Sequence, residues 1–317
     1  MFTRLGLFII ALLLSIECVA QAPKSQLAPM PAGMAKQVRS LPSFHQIDVS
    51  GRINIKLHTG YKKPQILLSG DPRDLALVRT QIIQDKLHII LDETRPIYGE
   101  VTAEIRACAL SGFNYKGMGA ITGNKLYSNA LELSIDNPGT TKLAGSLGLR
   151  QLNLSGGGLS EISGIYSHYM ELHIEGNSKV QLSGEVNIAD LDFDGDGGVN
   201  LYWIKSESLK VRGRQAAIIQ LGGVVDRLDV ELWGHSRFRG RYLRARRTFV
   251  KTHDRSVAEI SSEEHQSTLA TDASDIFYYN LPVTRADFMA LNGAVLDMRE
   301  WDNPEIEDFT IYNKLYP

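Results

Sequence analysis

The chain has 317 residues, enough to bury a large core, and its 34 basic and 36 acidic residues leave a formal net charge of -2. This balance excludes bulk electrostatic attraction to nucleic acid or acidic membranes, so neither is an expected partner. Only a local patch of charge could serve such binding.

The first twenty residues have the pattern of a secretory signal peptide. Arg4 supplies a positive start, an apolar run follows from Leu5 to Leu14, and small residues precede a predicted cleavage site after Ala20. The run is shorter than the roughly 20 apolar residues that cross a bilayer. We therefore predict an exported protein, periplasmic or extracellular, with no transmembrane segment after signal removal.

The two cysteines allow one further alternative for the N-terminus. Cys18 could carry a lipid anchor, although Ile16-Glu17 before it fits a lipoprotein signal poorly. Cleavage after Ala20 would leave Cys108 alone, without a partner for an internal disulfide. Cys108 is predicted to be a buried small apolar residue.

Four elements are predicted before residue 113. Residues 21–40 are rich in Ala, Pro, Gln and Ser without a period, which is typical of a flexible linker. Residues 43–57 alternate between polar and apolar and predict one or two strands. Asp71-Pro72 predicts a short helix reaching about Thr80, and residues 87–91 predict another strand.

From about residue 113 the sequence repeats every 18 to 20 residues. The central apolar residues of seven copies are Tyr115, Ile135, Leu154, Ile174, Phe193, Val211 and Val230. Apolar and polar residues alternate within each copy, and glycine or asparagine recurs at its ends, which is the texture of strands joined by tight corners. A fixed period of this size predicts a parallel β-solenoid, in which stacked coils share one interior.

Proline placement supports the same all-β fold. No proline occurs between Pro138 and Pro282, as expected where nearly every backbone N–H is needed for hydrogen bonds to the next coil. We predict a solenoid domain over residues 41–281. Residues 282–317 are predicted to be a C-terminal cap that protects the open end from aggregation.

Several segments resemble the autotransporter adhesin family known for its head GIN domain. They are Phe44-His-Gln-Ile-Asp-Val-Ser-Gly-Arg-Ile-Asn-Ile-Lys-Leu57, Ser69-Gly-Asp71, Leu87-His-Ile-Ile-Leu91 and Gly117-Met-Gly-Ala-Ile-Thr-Gly123. Arg52 stands where family members usually have glycine directly before Ile-Asn. The resemblance implies a right-handed β-helix, export, and a surface or periplasmic location, with no catalytic residues to carry over.

An arginine-rich segment is the first candidate site. Residues 237–247 contain six arginines, of which Arg237, Arg239, Arg241 and Arg244 are the predicted ligand-binding residues. Stacked with Arg212 and Arg214 of a nearby coil, they would form a positive stripe for phosphate or carboxylate groups. A glycan, a lipopolysaccharide or an envelope protein would be the partner. The alternative is a solvated face offset by Asp226, Asp229 and Glu231.

An acidic segment is the second candidate. Asp192, Asp194 and Asp196 match the opening of an EF-hand loop, but Trp203 occupies the position that requires glutamate. The alternatives are a solvated acidic ladder or a weak surface calcium site. No other cofactor is expected.

Together these patterns predict a non-enzymatic, adhesin-like binding module. The alternative is a polysaccharide-active enzyme on the same scaffold, with Glu175, Asp192, Asp194 and Arg212 brought together on one outer face.

Overall fold

The computed structural model describes residues 33–279 and 283–299. The predicted signal peptide and residues 21–32 of the predicted linker lie outside them. The elements of the N-terminal part are β1 Ala35–Ser40, β2 Gln46–Ser50, β3 Ile53–His58, β4 Gln65–Gly70, α1 Pro72–Leu75, β5 Val78–Ile83, β6 Lys86–Leu91, β7 Val101–Arg106 and β8 Gly112–Lys116. Those that follow are β9 Ile121–Asp136, β10 Thr140–Ser155, β11 Leu159–Glu175, β12 Lys179–Gly195, β13 Gly198–Gln215, β14 Ile218–Leu232, β15 Arg237–Thr252, β16 Val257–Ala270, β17 Asp275–Tyr278, β18 Arg285–Ala290 and β19 Val295–Met298.

The predicted β-solenoid is confirmed, with about nine turns. From β9 to β16 each long strand bends round a whole coil and pairs in parallel with the next. Leu154 lies opposite Ile174, and Ile174 lies opposite Phe193. All three are buried. Like side chains therefore meet inside the tube and form the continuous core that one coil could not make alone.

The corners explain why glycine recurs with the repeat. Gly164 has a φ of +73°, and a Cβ at this position would overlap the carbonyl oxygen of Gly145 in the preceding coil. Only glycine combines this backbone conformation with such a close approach of two chains.

The N-terminal part makes its coils out of sequence order. Strand β2 lies between β6 and β8, and β3 lies between β7 and β9, all in parallel. The strands predicted over residues 43–57 and 87–91 are thus confirmed as β2, β3 and β6. Antiparallel pairing adds β5 to β6, β4 to β7 and β1 to β4, so β1 forms within the segment predicted to be a linker.

The predicted helix is shorter than expected. Asp71 caps its first turn, because the Asp71 carboxylate accepts a hydrogen bond from the backbone N–H of Arg73 at 2.9 Å. The helix ends at Leu75, and the prediction to Thr80 was wrong. From Val78 the alternating residues instead form β5, which pairs with β6 across a turn at Gln84-Asp85 that has positive φ at both residues.

The C-terminal part continues the stack. Strand β18 pairs in parallel with β16, and β19 with β17, so coil geometry extends into the segment predicted to be a cap. Residues 300–317 lie outside the described part. Cys108 is only partly buried, so the prediction of full burial was wrong. In the described residues no helix is long and apolar enough to cross a membrane.

Candidate functional site: an arginine and aromatic cluster

Each coil has three runs of strand separated by shifts in register, as in β10, where the runs are centred near Leu143, Leu147 and Asn153. We call the outer surfaces of these runs the first, second and third faces. On the first face the register aligns outward side chains from successive coils. This polar ladder consists of Lys142, Glu161, Gln181, Asn200, Gln220, Arg239 and Glu259.

The predicted arginines are divided between faces. Arg237 and Arg239 are exposed on the first face, Arg241 lies at the corner that follows, and Arg244 is exposed on the second face. Arg239 is stacked between Gln220 and Glu259 rather than between arginines. The arginines therefore follow one strand instead of forming a stripe along the axis.

The other arginines of the prediction lie elsewhere. Arg212 is in register with Glu231, on the third face. Of the acids expected to offset the arginine segment, Asp226 pairs with an arginine of that segment and Asp229 pairs with an arginine outside it. Asp226 lies 4.0 Å from Arg246, and Asp229 lies 3.0 Å from Arg227.

Arg241 is fixed among aromatic and acidic groups. Its guanidinium carbon lies 4.7 Å from the centre of the Tyr242 ring, a cation–π distance. Burial alone would lower its pKa, but the neighbouring Tyr242, Glu259 and Tyr279 outweigh this and leave the pKa of Arg241 raised. The guanidinium is therefore a permanent, oriented positive charge.

Tyr202 lies beside the arginines. Its hydroxyl accepts a hydrogen bond of 2.5 Å from the Gln220 side chain. Its ring covers Gly222, where a Cβ would come within 2.8 Å of the ring. Burial and the nearby Tyr242 raise the pKa of Tyr202, while the hydrogen bond from Gln220 and the charges of Arg239 and Arg241 oppose the rise.

Trp203 has an unusual backbone. Its φ is +71°, whereas the same corner in the coils on either side holds Gly184 and Gly223. A bulky residue in this region costs about 1–2 kcal/mol relative to an ordinary conformation, and such strain concentrates at functional sites. Trp203 is nevertheless 41% exposed. We define the arginine–aromatic cluster as Tyr202, Trp203, Arg239, Arg241 and Tyr242.

A shallow groove of about 490 Å³ leads along the first face to Tyr202. One side is the polar ladder, in which Lys142 and Glu161 form an ion pair of 2.9 Å. Small side chains accompany it, including Ala144, Ser163 and Ser183. The groove thus offers amides and charges on one side and an aromatic ring at its end.

The acidic segment forms a different structure on the third face. Asp190, Asp192 and Asp194 face the next coil, where Arg212 donates to Asp190 at 2.8 Å and Arg214 donates to Asp192 at 2.7 Å and to Asp194 at 3.0 Å. Asp196 is exposed beyond the corner. In residues 33–279 and 283–299 no group of three or more His, Cys, Asp or Glu side chains is arranged to hold a metal ion, and the surface calcium site stays a prediction.

The third face, which carries the acidic segment, also contains the residues of the enzyme alternative. The predicted residues lie on neighbouring coils of the third face, with Glu175 in register with Asp194 and Asp192 in register with Arg212. The hydrogen bond from Arg214 lowers the pKa of Asp194. A general acid needs its pKa raised, so this carboxylate is tuned in the opposite direction.

Sequence reasoning missed Tyr202 and Trp203 as site residues. The available signal was Trp203 itself, a bulky residue at a corner where the coils before and after have glycine. Tyr242 was noticed near the arginines, but its distance to Tyr202 depends on stacking across two coils.

Comparisons with known proteins identify similar chains. The family model described as "Putative auto-transporter adhesin, head GIN domain" matches residues 43–214 and 166–282. A solved structure of a "putative adhesin" from Parabacteroides merdae is 12% identical, with 84% of this chain and 97% of that chain covered and a TM-score of 0.48. Two structures from Parabacteroides distasonis, called a "putative adhesin" and a "Putative lipid binding protein", are 14% and 13% identical. Each match covers 83% of this chain, with 96% and 97% of the other chain and TM-scores of 0.46 and 0.42. No curated protein matches this chain.

Proposed function

This chain belongs to the family of putative auto-transporter adhesins with a head GIN domain, and we propose that it is an exported, non-enzymatic module that binds an anionic glycan at the arginine–aromatic cluster. The observation that carries the proposal is the position of Tyr202, which lies at the end of the groove where the charges of Arg239 and Arg241 act on it, next in the chain to the exposed Trp203.

The chemistry of the cluster suits acidic sugars. A guanidinium group pairs with carboxylate, sulfate or phosphate through two parallel hydrogen bonds. The apolar faces of sugar rings pack on exposed aromatic rings, which supply large contact area at low entropic cost. Arg239 and Arg241 would pair with the acidic group of the ligand. Tyr202 and Trp203 would pack against its sugar rings.

The groove gives the ligand a direction. From Lys142 to Arg239 the polar ladder spans five coil spacings, or about 24 Å at about 4.8 Å each. Its amide side chains, Gln181, Asn200 and Gln220, can donate to and accept from sugar hydroxyls. We propose that an extended glycan lies along the solenoid axis, with its acidic group at the cluster.

Membership of an adhesin family implies an exported or surface protein. We propose that the solenoid functions in the periplasm or outside the cell. Fractionation of cells into periplasm, membranes and medium would identify the compartment.

Charge reversal tests the binding site directly. Binding to polygalacturonate and heparin should weaken at least tenfold in the double variant Arg239→Glu/Arg241→Glu, because two attractive contacts become repulsive. Arg79→Glu is the matched control, since Arg79 is exposed in the N-terminal part and its replacement changes the net charge in the same sense. Unchanged affinity in the double variant contradicts the proposal, and release of reducing ends would favour the enzyme alternative instead.

The strained residue gives a separate prediction. Trp203→Gly should abolish glycan binding while leaving the free energy of unfolding unchanged or raising it by up to about 1 kcal/mol, because glycine adopts positive φ without the steric cost. Binding and urea denaturation are measured on the same samples. A loss of stability larger than about 1 kcal/mol would mean that the indole is retained for packing rather than for a ligand.

A further inference from the structure

A second recess lies on the second face, over β9, β10 and β11. It has a volume of about 470 Å³ and is separate from the arginine–aromatic cluster. Its lining includes Asn129, Ser146, Gly148, Arg150, Tyr166 and His168. None of these residues belongs to a site described above.

The recess exists because the middle coil has almost no side chains there. Ser146 is small, and a Cβ on Gly148 would overlap the carbonyl oxygen of Asn129, so the backbone itself forbids a side chain at that point. Asn129 rises from the coil on one side, and Tyr166 and His168 rise from the coil on the other. Two coil spacings, about 9.6 Å, separate these walls. A flat ring with hydroxyl groups on its edge fits between them.

The aromatic wall is exposed and ordered by its own contacts. Tyr166 and Tyr169 are 53% and 58% exposed. Tyr166 meets the His168 ring edge to face at 4.9 Å between centroids, and the Tyr169 hydroxyl donates to Glu171 at 3.2 Å. Hydration of these exposed aromatic rings is unfavourable. Exposed apolar rings grouped around a recess are typical of a binding site.

The polar groups of the recess suit a ligand that carries several hydroxyl groups. Asn129 and Ser146 both donate and accept, and Arg150 donates through a planar fork that spans neighbouring hydroxyl groups. The recess has this one guanidinium group, whereas the arginine–aromatic cluster has two. We propose that this recess binds a neutral hexopyranose ring of a glycan, with the ring's C–H face packed on Tyr166 and its hydroxyls on Asn129, Ser146 and Arg150.

Titration with neutral oligosaccharides tests this site. The probes are hexasaccharides of glucose, galactose and mannose, followed by saturation-transfer NMR and calorimetry on the whole chain. The wild type should bind at least one of them saturably. Affinity should fall at least tenfold in Tyr166→Ala and in Ser146→Trp, which fills the recess without removing the aromatic wall. Tyr166→Phe keeps the ring and should stay within about threefold.

The control is Tyr98→Ala, which removes an equally exposed tyrosine, 59% exposed, from the N-terminal part and should change nothing. Neutral binding should survive Arg239→Glu/Arg241→Glu, and polygalacturonate binding should survive Tyr166→Ala, so failure of either site is distinguishable from failure of the other. The inference is overturned if the wild type binds none of the neutral probes, or if Tyr166→Ala and Ser146→Trp bind as well as the wild type.

Discussion

The middle coils and the C-terminal coils have the same backbone but different interiors. In β11 and β12 the inward positions of the third run hold Leu172, Ile174, Leu191 and Phe193, all buried. The register carries Leu228 of β14 onto Thr248 of β15 and then onto Gln266 of β16. All three of these side chains are buried as well. Leucine is thus replaced by threonine and glutamine within two coils.

The polar interior is tolerated because corners supply hydrogen-bond partners. Thr252 and Ser274 share a hydrogen bond of 2.9 Å, and the hydroxyls of Ser256 and Ser274 donate to the carbonyls of His253 and Thr271 at 2.8 and 2.7 Å. Buried hydroxyls are inexpensive only when they are paired in this way. The shape of the coils therefore depends on the backbone hydrogen bonds between successive strands. Their stability depends on which side chains fill the interior.

The largest expected effect comes from the apolar interior. Phe193→Ala removes a fully buried ring and should lower the free energy of unfolding by about 3–5 kcal/mol. Thr268→Ala in the polar interior is the control and should cost less than half as much, since fewer buried carbon atoms are lost. Chemical denaturation followed by circular dichroism measures both. Equal losses would show that the two interiors contribute alike and would break the comparison.

A smaller effect of opposite sign is expected where the polar interior is imperfect. The Thr248 hydroxyl is buried and has no hydrogen-bond partner among residues 33–279 and 283–299. Thr248→Val removes that unsatisfied group and should raise the free energy of unfolding by about 1 kcal/mol. Thr252→Val, which removes a paired hydroxyl, should lower it. A stabilised Thr252→Val would show that pairing does not matter here.

The smallest effect concerns the outside of the middle coils. The pKa of Asp194 is lowered from its ordinary value of 3.8 by the hydrogen bond from Arg214. A carboxyl group with a lowered folded-state pKa stabilises the fold above its unfolded pKa, and this contribution disappears as the pH falls through the folded value. Because the pair is partly exposed, the contribution should be below about 1 kcal/mol.

Asp194→Asn should therefore be slightly less stable than the wild type at pH 7, and the difference should shrink as the pH falls below the ordinary value of 3.8. Urea denaturation over a series of pH values measures it. Glu207→Gln provides a matched control on an exposed residue, with no change expected. A difference that persists unchanged at the acid end would mean that the ion pair is not its cause.

Much of the fold was predictable because each copy of the repeat has the same kind of residue at the same position. Leu154, Ile174 and Phe193 occupy the same position in successive copies, so a period of 18 to 20 residues implied their contact before any coordinates. The clear copies end at Val230 because Thr248 and Gln266 replace leucine at the inward position in the next two coils. Hydrophobic periodicity cannot show that such polar side chains are buried.

Less of the candidate site was predictable. The exposure of Arg237, Arg239 and Arg244 followed from alternation along the strand, but their division between two faces depends on a corner near Arg241. The pairing of Asp192 and Asp194 with Arg214 required the exact register between β12 and β13, and the sequence left metal binding, catalysis and solvation open.

The sequence by itself determined the period, the inward positions and the glycine corners. The reason is that each coil stacks on a near copy of itself, so residues at equivalent positions of successive copies are in contact. Tertiary structure alone decided that β2 and β3 insert between strands later in the chain, and that Tyr202 and Tyr242 approach across Gly222. Both depend on pairing between segments distant in sequence, which nothing in either segment specifies alone.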